Sequence, residues 1–359
     1  YLNLATWFSR APYNSLTGAS RWNEPCVPVY TTGTSIDTGG QPRESLRTVY
    51  GRIDQDIDRA IELLEKARET TLAENNKSHI NLYVALGIKS RACLAEGDWD
   101  GAFKAAKRVI DEGGYAVGTK SDLTGGMNSL DKQNVMWGAG IQVADQAGGY
   151  AGFFTHMDNK EGAYAKSAPK LISKQLYNRI SATDIRRDWW DPSDKESPYV
   201  SKKFSFANVA SFLGDYIYMR VEEMYFTAAE AALRLDDLKS ARELMNTVMA
   251  ERDPGYSANN RSGTLLGATT TTWTGSFLEN ILTHRRIELW GEYGRLFDVR
   301  RLGQGIDRRT DDGFSEECIS MMNRRNVNIT KADTYDWVLT IPKAELDANP
   351  NINEEDQNP

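Results

Sequence analysis

One pattern occurs twice in this chain, and it restricts the fold more than any other feature. From Ser78 to Gly114 the sequence reads SHINLYVALGIKSRACLAEGDWDGAFKAAKRVIDEGG. Apolar residues recur at helical spacing up to Gly97–Asp98, break there, and resume at Ala102. That predicts two helices joined by a tight turn. Residues 219–252, MRVEEMYFTAAEAALRLDDLKSARELMNTVMAER, repeat the arrangement. Setting Ala102 on Ala241 superposes AEGDWDGA on RLDDLKSA at an offset of 139 residues. Alanine-rich faces precede both turns and aliphatic residues follow them, so each pair of helices can approach closely. A further helix is predicted over 44–69, where Val49, Ile53, Ile57, Ala60 and Leu64 keep one face.

The segment EGDWDGAFKAA resembles the turn and second helix of a tetratricopeptide repeat. The repeats are interrupted rather than consecutive, which argues against a regular solenoid. Residues 113–211 are rich in glycine and aromatics, with weak helical patterning outside PKLISKQLYNRI at 169–180. The stretches 9–43 and 252–275 are also irregular. The expected fold is all-α, mainly helical with long loops. Tetratricopeptide-like hairpins form a scaffold at 44–112 and 212–302, carrying a loop-rich insert at 113–211, all in one domain spanning 1–359. Binding residues concentrate in such inserts.

Several function classes fit poorly. A net charge of −7 and a pI near 5.3 argue against a nucleic-acid backbone as partner. Cys26, Cys93 and Cys318 are odd in number and far apart, which matches neither a disulfide framework nor a zinc pattern. His79, His156 and His284 form no metal-binding spacing. HMDNKEG at 156–162 offers loop oxygens for calcium, but no metal and no cofactor is expected. No phosphate-cradling glycine loop follows a strand. The chain opens on YLNLATWF, the tail of an apolar helical pattern, without an initiator Met. The lack of a targeting segment therefore carries little weight.

The densest charged cluster is RRIELWGEYGRLFDVRRLG, from Arg285 to Gly303. Arg285/Glu288, Glu292/Arg295, Arg295/Asp298 and Asp298/Arg301 are oppositely charged pairs three apart, as same-face helical neighbours are. Gly291 and Gly294 predict a break between two helices. The cluster reads as an ion-pair clamp between helices. Arginines beside Glu288 and Glu292, and beside Glu222, Glu223 and Glu230, would hold these carboxylates ionised, the reverse of what a glycosidase acid needs. No catalytic residue is expected.

HRRIELWGEYGRLFDVRRLG is similar to the C-terminal signature of the SusD/RagB family. YIYMRVEEMYFTAAEAAL (216–233) resembles that family's Arg-Glu and Ala-Glu-Ala segment, and PRESLRTVYGRIDQDIDRAIELL its early repeat helix. LTIPKAELDANPNINEEDQNP (339–359) resembles its terminal Ile-Pro, Asn-Pro and Gln-Asn-Pro signature, part of a C-terminal family segment at 334–359. YLNLATWF with CVPVY fits the helix end and strand that precede these, so the resemblance runs end to end. The resemblance implies a non-catalytic cell-surface protein that binds oligosaccharides and serves a SusC-like TonB-dependent transporter. It also implies an outer-membrane location through a lipid anchor that this chain lacks. A tetratricopeptide-type protein- or peptide-binding adaptor is the competing expectation.

Sugar rings pack their flat C–H faces on aromatic side chains, while hydroxyls need polar partners. Trp189 and Trp190 are adjacent in the polar loop RRDWWDPSD, where exposure of at least one is expected. Tyr150 and Phe153 lie in a glycine-rich loop, Trp273 in TTTTWTG and Trp22 in SRWNEP. These six are the candidate ligand contacts. Trp99, Trp137, Trp290 and Trp337 are expected in the core.

Overall fold

The computed structural model describes residues 1–31, 33–35, 37–70, 76–143, 151–261, 275–305 and 337–359. Both expected hairpins form. Helix α1 spans Leu2–Phe8 and α2 spans Leu46–Thr70. The first hairpin is α3 (Leu82–Glu96) and α4 (Trp99–Glu112). Asn81 caps α3 by accepting from the Tyr83 and Val84 amides, and Gly97 ends it in the left-handed region at φ +78°. Asp98 then caps α4 by accepting from the Gly101 amide.

Four short helices follow: α5 (Lys120–Thr124), α6 (Phe153–Met157), α7 (Ala163–Ser167) and α8 (Lys174–Tyr177). The second long hairpin is α9 (Val221–Arg234) and α10 (Leu238–Ala250). Asp237 caps α10 through the Ser240 amide, the counterpart of Asp98 under the 139-residue offset. Its turn places Asp236 at φ +64°, a position glycine fills in the first hairpin. Helices α11 (Phe277–Glu288) and α12 (Arg295–Arg301) flank the predicted break, and α13 spans Lys343–Ala348.

The hairpins are separated in sequence but share one core. Ala105, Ala106 and Val109 of α4 and Met224, Ala228, Ala229 and Ala232 of α9 belong to the same buried cluster. Ala102 and Ala241, the aligned pair, are both fully buried. Small side chains on α9 let it lie between neighbours on several sides, so even its glutamates Glu222, Glu223 and Glu230 are buried.

Among the described residues, two short antiparallel pairs interrupt the helices. Strand β1 (Val135–Ala139) pairs with β4 (Tyr216–Arg220), and β2 (Trp190–Asp191) with β3 (Val200–Ser201). The helix expected over 169–180 shortens to α8, because Leu171 bridges Val200 and the Ser201 amide donates to the Lys170 carbonyl. Phe154, Leu176, Trp189, Trp190, Phe204 and Ile287 join in a separate cluster under this region.

The C-terminal segment sews the chain ends together. The Asn358 amide donates to the Phe8 and Leu339 carbonyls, and Asn349 donates to Gln41. Arg43 donates to the Asp356 carbonyl and to Asn358 Oδ1. Replacing Asn358 with alanine removes three of these bonds. At about 1 kcal/mol each, partly recovered by water, a loss of about 1–3 kcal/mol is expected in urea unfolding.

Glu96, at the end of α3, is a built-in liability. Burial, then Asp54 and Asp98, push its pKa up to about 8, and its Oε1 has no hydrogen-bond partner. The folded value exceeds the unfolded one, so the neutral carboxyl favours folding fully below pH 4.5, and that contribution is lost as pH rises through 8. With a discount for its partial exposure, Glu96→Gln is expected to raise stability by about 1–2 kcal/mol at pH 8. Urea midpoints at pH 8 and pH 4 check this, with no gain expected at pH 4.

Candidate functional site

A cavity of about 520 Å³ opens between the β1–β4 pair and the link joining α11 to α12. Its walls carry six aromatic side chains: Trp137, Phe153, Phe204, Tyr216, Tyr218 and Tyr293. Arg91, Glu292 and Asn3 supply polar groups.

The β1–β4 register explains the strand side. Trp137 faces Met219 and Gly138 faces Ile217, with shifts on both sides of Trp137, so Met136 and Tyr218 are skipped in the pairing. The doubled irregularity turns side chains out of strict alternation. Tyr216, Ile217 and Tyr218, three consecutive residues, all line the cavity. Tyr218 is 40% exposed, and its ring meets Trp137 edge-on at 5.1 Å.

The opposite wall is the GEYG link of the charged cluster. Gly291 has φ +75°, and a Cβ there would lie 2.5 Å from the Phe204 ring. Glycine is needed on both counts. The turn projects Glu292 and Tyr293 into the cavity.

Buried charges hold both walls. Arg91 donates from Nε and Nη2 to the two oxygens of Glu223 at 2.8 and 2.6 Å, and from Nη2 to the Tyr218 carbonyl at 2.9 Å. Its guanidinium sits 3.9 Å from the Tyr293 ring centroid. One arginine thus fixes an aromatic on each wall. Arg220 donates to Glu292 at 2.7 and 2.8 Å, and Lys203 donates to it at 2.5 Å.

Behind the cavity, Glu288 is fully buried. It accepts from Arg186 at 3.1 Å, from Arg220 at 3.0 Å and from Arg252 at 2.9 and 3.0 Å. Despite burial, Arg252, Arg220 and Arg186 hold its pKa well below the usual carboxylate value. Burial likewise opposes ionisation of Glu292, but Arg220 and Lys203 keep its pKa low. Burial pushes the Lys203 ammonium down to about 8 against the pull of Glu292. His284 is pushed well below 6.5 by burial and then by Arg186, so it stays neutral, and Arg186 contacts its Nδ1 at 2.9 Å.

A second cluster links Arg301 to Glu230 at 2.6 Å and to Asp298 at 2.9 Å, and Arg285 to Asp298 at 2.8 Å. Arg301 and Arg234 overcome burial to hold Glu230 down at about 2. Carboxylates with depressed values stabilise the fold above their unfolded pKa of 4.5 and lose that contribution as pH falls toward 2. For Glu230 alone, roughly 3 kcal/mol is at stake. A urea midpoint that falls steeply between pH 4.5 and 2.5 is the expected observation. The cluster clamps α9 to α12, and its Glu230 stays ionised, the reverse of what a proton donor requires.

The candidate contacts separate clearly. Phe153 lines the cavity. Trp189 and Trp190 do not form an exposed platform, and that expectation is corrected. They are 2% and 1% exposed. The backbone changes from a 3₁₀ turn over Ile185–Trp189 to extended strand at Trp190, which lets adjacent indoles both point inward. Trp189 Nε1 donates to the Leu123 carbonyl, and the Lys203 ammonium lies 4.4 Å from its ring. Trp22 is half-buried against Tyr50 and Arg47, away from the cavity. Tyr150 and Trp273 fall outside the described residues.

Trp137 meets its expectation only in part, since it packs against the main core with one side and lines the cavity with the other. Its apolar neighbours in VMWGA hide this, and Tyr218 and Tyr293 carry no sequence signal beyond being aromatic. In the 156–162 segment, Asp158 is engaged with backbone amides. Its oxygens accept from the Lys160, Glu161 and Phe206 amides, and among the described residues no group of His, Cys, Asp and Glu is placed to hold a metal.

The SusD family model matches residues 157–359, more than half of the chain. The chain belongs to the SusD family. Solved structures extend that kinship to the rest of this SusD-family chain. A SusD-like carbohydrate binding protein of Bacteroides vulgatus ATCC 8482 is 26% identical, with a TM-score of 0.76 over 99% of this chain and 74% of its own. A SusD superfamily protein of Bacteroides thetaiotaomicron VPI-5482 is 23% identical, with a TM-score of 0.75 and the same coverage. Surface glycan-binding protein A of Bacteroides uniformis shares the fold at 18% identity, with a TM-score of 0.60 over 94% of this chain and 74% of its own. No curated protein sequence matches the chain.

Proposed function

We propose that this SusD-family chain binds oligosaccharide without catalysis, in the cavity between the β1–β4 pair and the Gly291–Gly294 link. The observation that carries the reading is the aromatic lining held by buried ion pairs. Trp137, Tyr218 and Tyr293 offer faces and edges to sugar C–H groups, with Phe153 beside them, and Arg91, Glu292 and Asn3 offer partners to hydroxyls. Rings that are fixed before the ligand arrives lose little conformational freedom on binding. The depressed pKa of Glu292, the one carboxylate lining the cavity among the described residues, suits a hydrogen-bond acceptor and not a proton donor. Family membership and the carbohydrate-binding relatives support the same reading.

Family membership supports the wider reading that the protein works at the cell surface on the outer membrane, held by a lipid anchor, and passes its glycan to a SusC-like TonB-dependent transporter. An affinity-gel screen against plant, fungal and host polysaccharides tests the ligand class. Retardation by at least one glycan without any release of reducing ends is expected. Retention on a peptide library with no glycan retardation would favour the adaptor reading instead. Co-purification with a TonB-dependent transporter from outer membranes tests the partner.

A further inference from the structure

A second cleft, of about 390 Å³, is polar where the first is aromatic. Lys120, Arg187 and Lys202 line it together with Asp184, Asp188 and Asp191. These charges are not equivalent. Asp184 is buried and fully engaged, accepting from Arg186 Nη2 at 2.6 Å and Nε at 3.0 Å. Asp188 and Asp191 pair only loosely, at 3.8 Å from Lys120 and Lys202. That exceeds hydrogen-bond distance, so an incoming anion can displace them. The lining carries three cations, Lys120, Arg187 and Lys202, and three carboxylates, of which Asp184 is already paired with Arg186 behind the cleft, in a chain whose net charge is −7.

Two features give the cleft a built geometry. Arg187 is fixed by one hydrogen bond to the Ile180 carbonyl at 2.7 Å and by the Tyr177 ring, whose centroid lies 4.3 Å from its guanidinium carbon. That leaves most of its donors for a ligand. Trp190 also lines the cleft, and its buried Nε1 has no hydrogen-bond partner. Its ring borders the cleft, so its indole signal reports on a ligand there.

We infer that this cleft binds the carboxylate of an acidic saccharide, a uronate, with the planar guanidinium of Arg187 as its main partner. Lys120 and Lys202 flank the carboxylate, and Asp188 and Asp191 accept from sugar hydroxyls. The inference rests on the reading that the ligand is a saccharide, but it concerns a separate cleft.

The test uses trigalacturonate and its fully methyl-esterified form, titrated calorimetrically and by the ¹⁵N-indole spectrum. Trigalacturonate is expected to bind and to move the Trp190 indole signal. The ester, which lacks the charge, should bind at least about tenfold more weakly. Arg187→Gln with Lys202→Gln should weaken trigalacturonate by about tenfold and leave thermal unfolding in place, since the side chains are partly or fully exposed. Tyr218→Ala should leave it unchanged. Absence of trigalacturonate binding, equal binding of the ester, or insensitivity to the double substitution would each overturn the inference. Binding of a neutral glycan at Trp137 is read separately in the same spectrum, so either cleft can fail without the other.

Discussion

Replacing Glu288 by glutamine is expected to cost the fold about 3–5 kcal/mol. The carboxylate accepts from three arginines, all of them fully buried apart from Arg220 at 1% exposed. Glutamine keeps one acceptor oxygen and turns an NH₂ group toward guanidinium donors. Three buried cations would then share Asp184, Glu222 and Glu292 alone. Removing one partner of a buried ion cluster costs far more than the intact cluster contributes, because the remaining charges stay desolvated. Glu62 is the control. It also contacts two cations, Arg59 and Lys66, but on the exposed face of α2, where water screens the pairs. Glu62→Gln should leave the urea midpoint unchanged, and Glu288→Gln should lower it steeply or prevent folding.

Tyr218→Ala is expected to weaken glycan binding by about 10- to 100-fold, as truncating a central aromatic contact does. Tyr218 is 40% exposed and adds little to the core, so unfolding should barely change. Trp137→Ala should weaken binding as strongly, with a moderate stability loss because its ring is half-buried. Trp189→Ala is predicted to behave differently. Its ring is buried, so truncation should cost about 3–5 kcal/mol and reduce binding only by unfolding the protein. Calorimetric titration alongside urea unfolding separates the two classes.

The parts of this fold that rest on local periodicity are legible in the sequence. Gly97–Asp98 and the Asp237 cap announce their turns, and Gly291 and Gly294 mark where α11 ends and α12 begins. The charged cluster is legible as a clamp but not in its pairings. Of the four same-helix pairs, Asp298–Arg301 forms among the described residues. Arg285 instead reaches Asp298, thirteen residues on, and Glu288 reaches arginines up to 102 residues away. A long guanidinium pairs with whatever carboxylate the tertiary fold brings near, and helical spacing has no knowledge of that.

The cavity was the least legible part, for a similar reason. Polar neighbours make Trp189 and Trp190 look exposed, yet a change of backbone conformation between them turns both indoles inward. Apolar neighbours make Trp137 look buried, yet the irregular β1–β4 register presents it to the cavity. Burial of an aromatic depends on the face it takes, and one skipped pairing changes the face. The C-terminal signature shows the same limit. Its asparagines look like loop punctuation, but they hold Phe8, Gln41 and Arg43 at the start of the chain.

The most direct test is the ¹⁵N-indole spectrum of the protein, titrated with the neutral glycan retained in the affinity screen. The nine tryptophans give separate reporters. The Trp137 signal is predicted to shift in step with the calorimetric isotherm, with Trp189 and Trp22 unmoved, and Tyr218→Ala should abolish the shift. Saturable binding that moves Trp22 or Trp273 and leaves Trp137 silent would contradict the placement of the glycan site in this cavity.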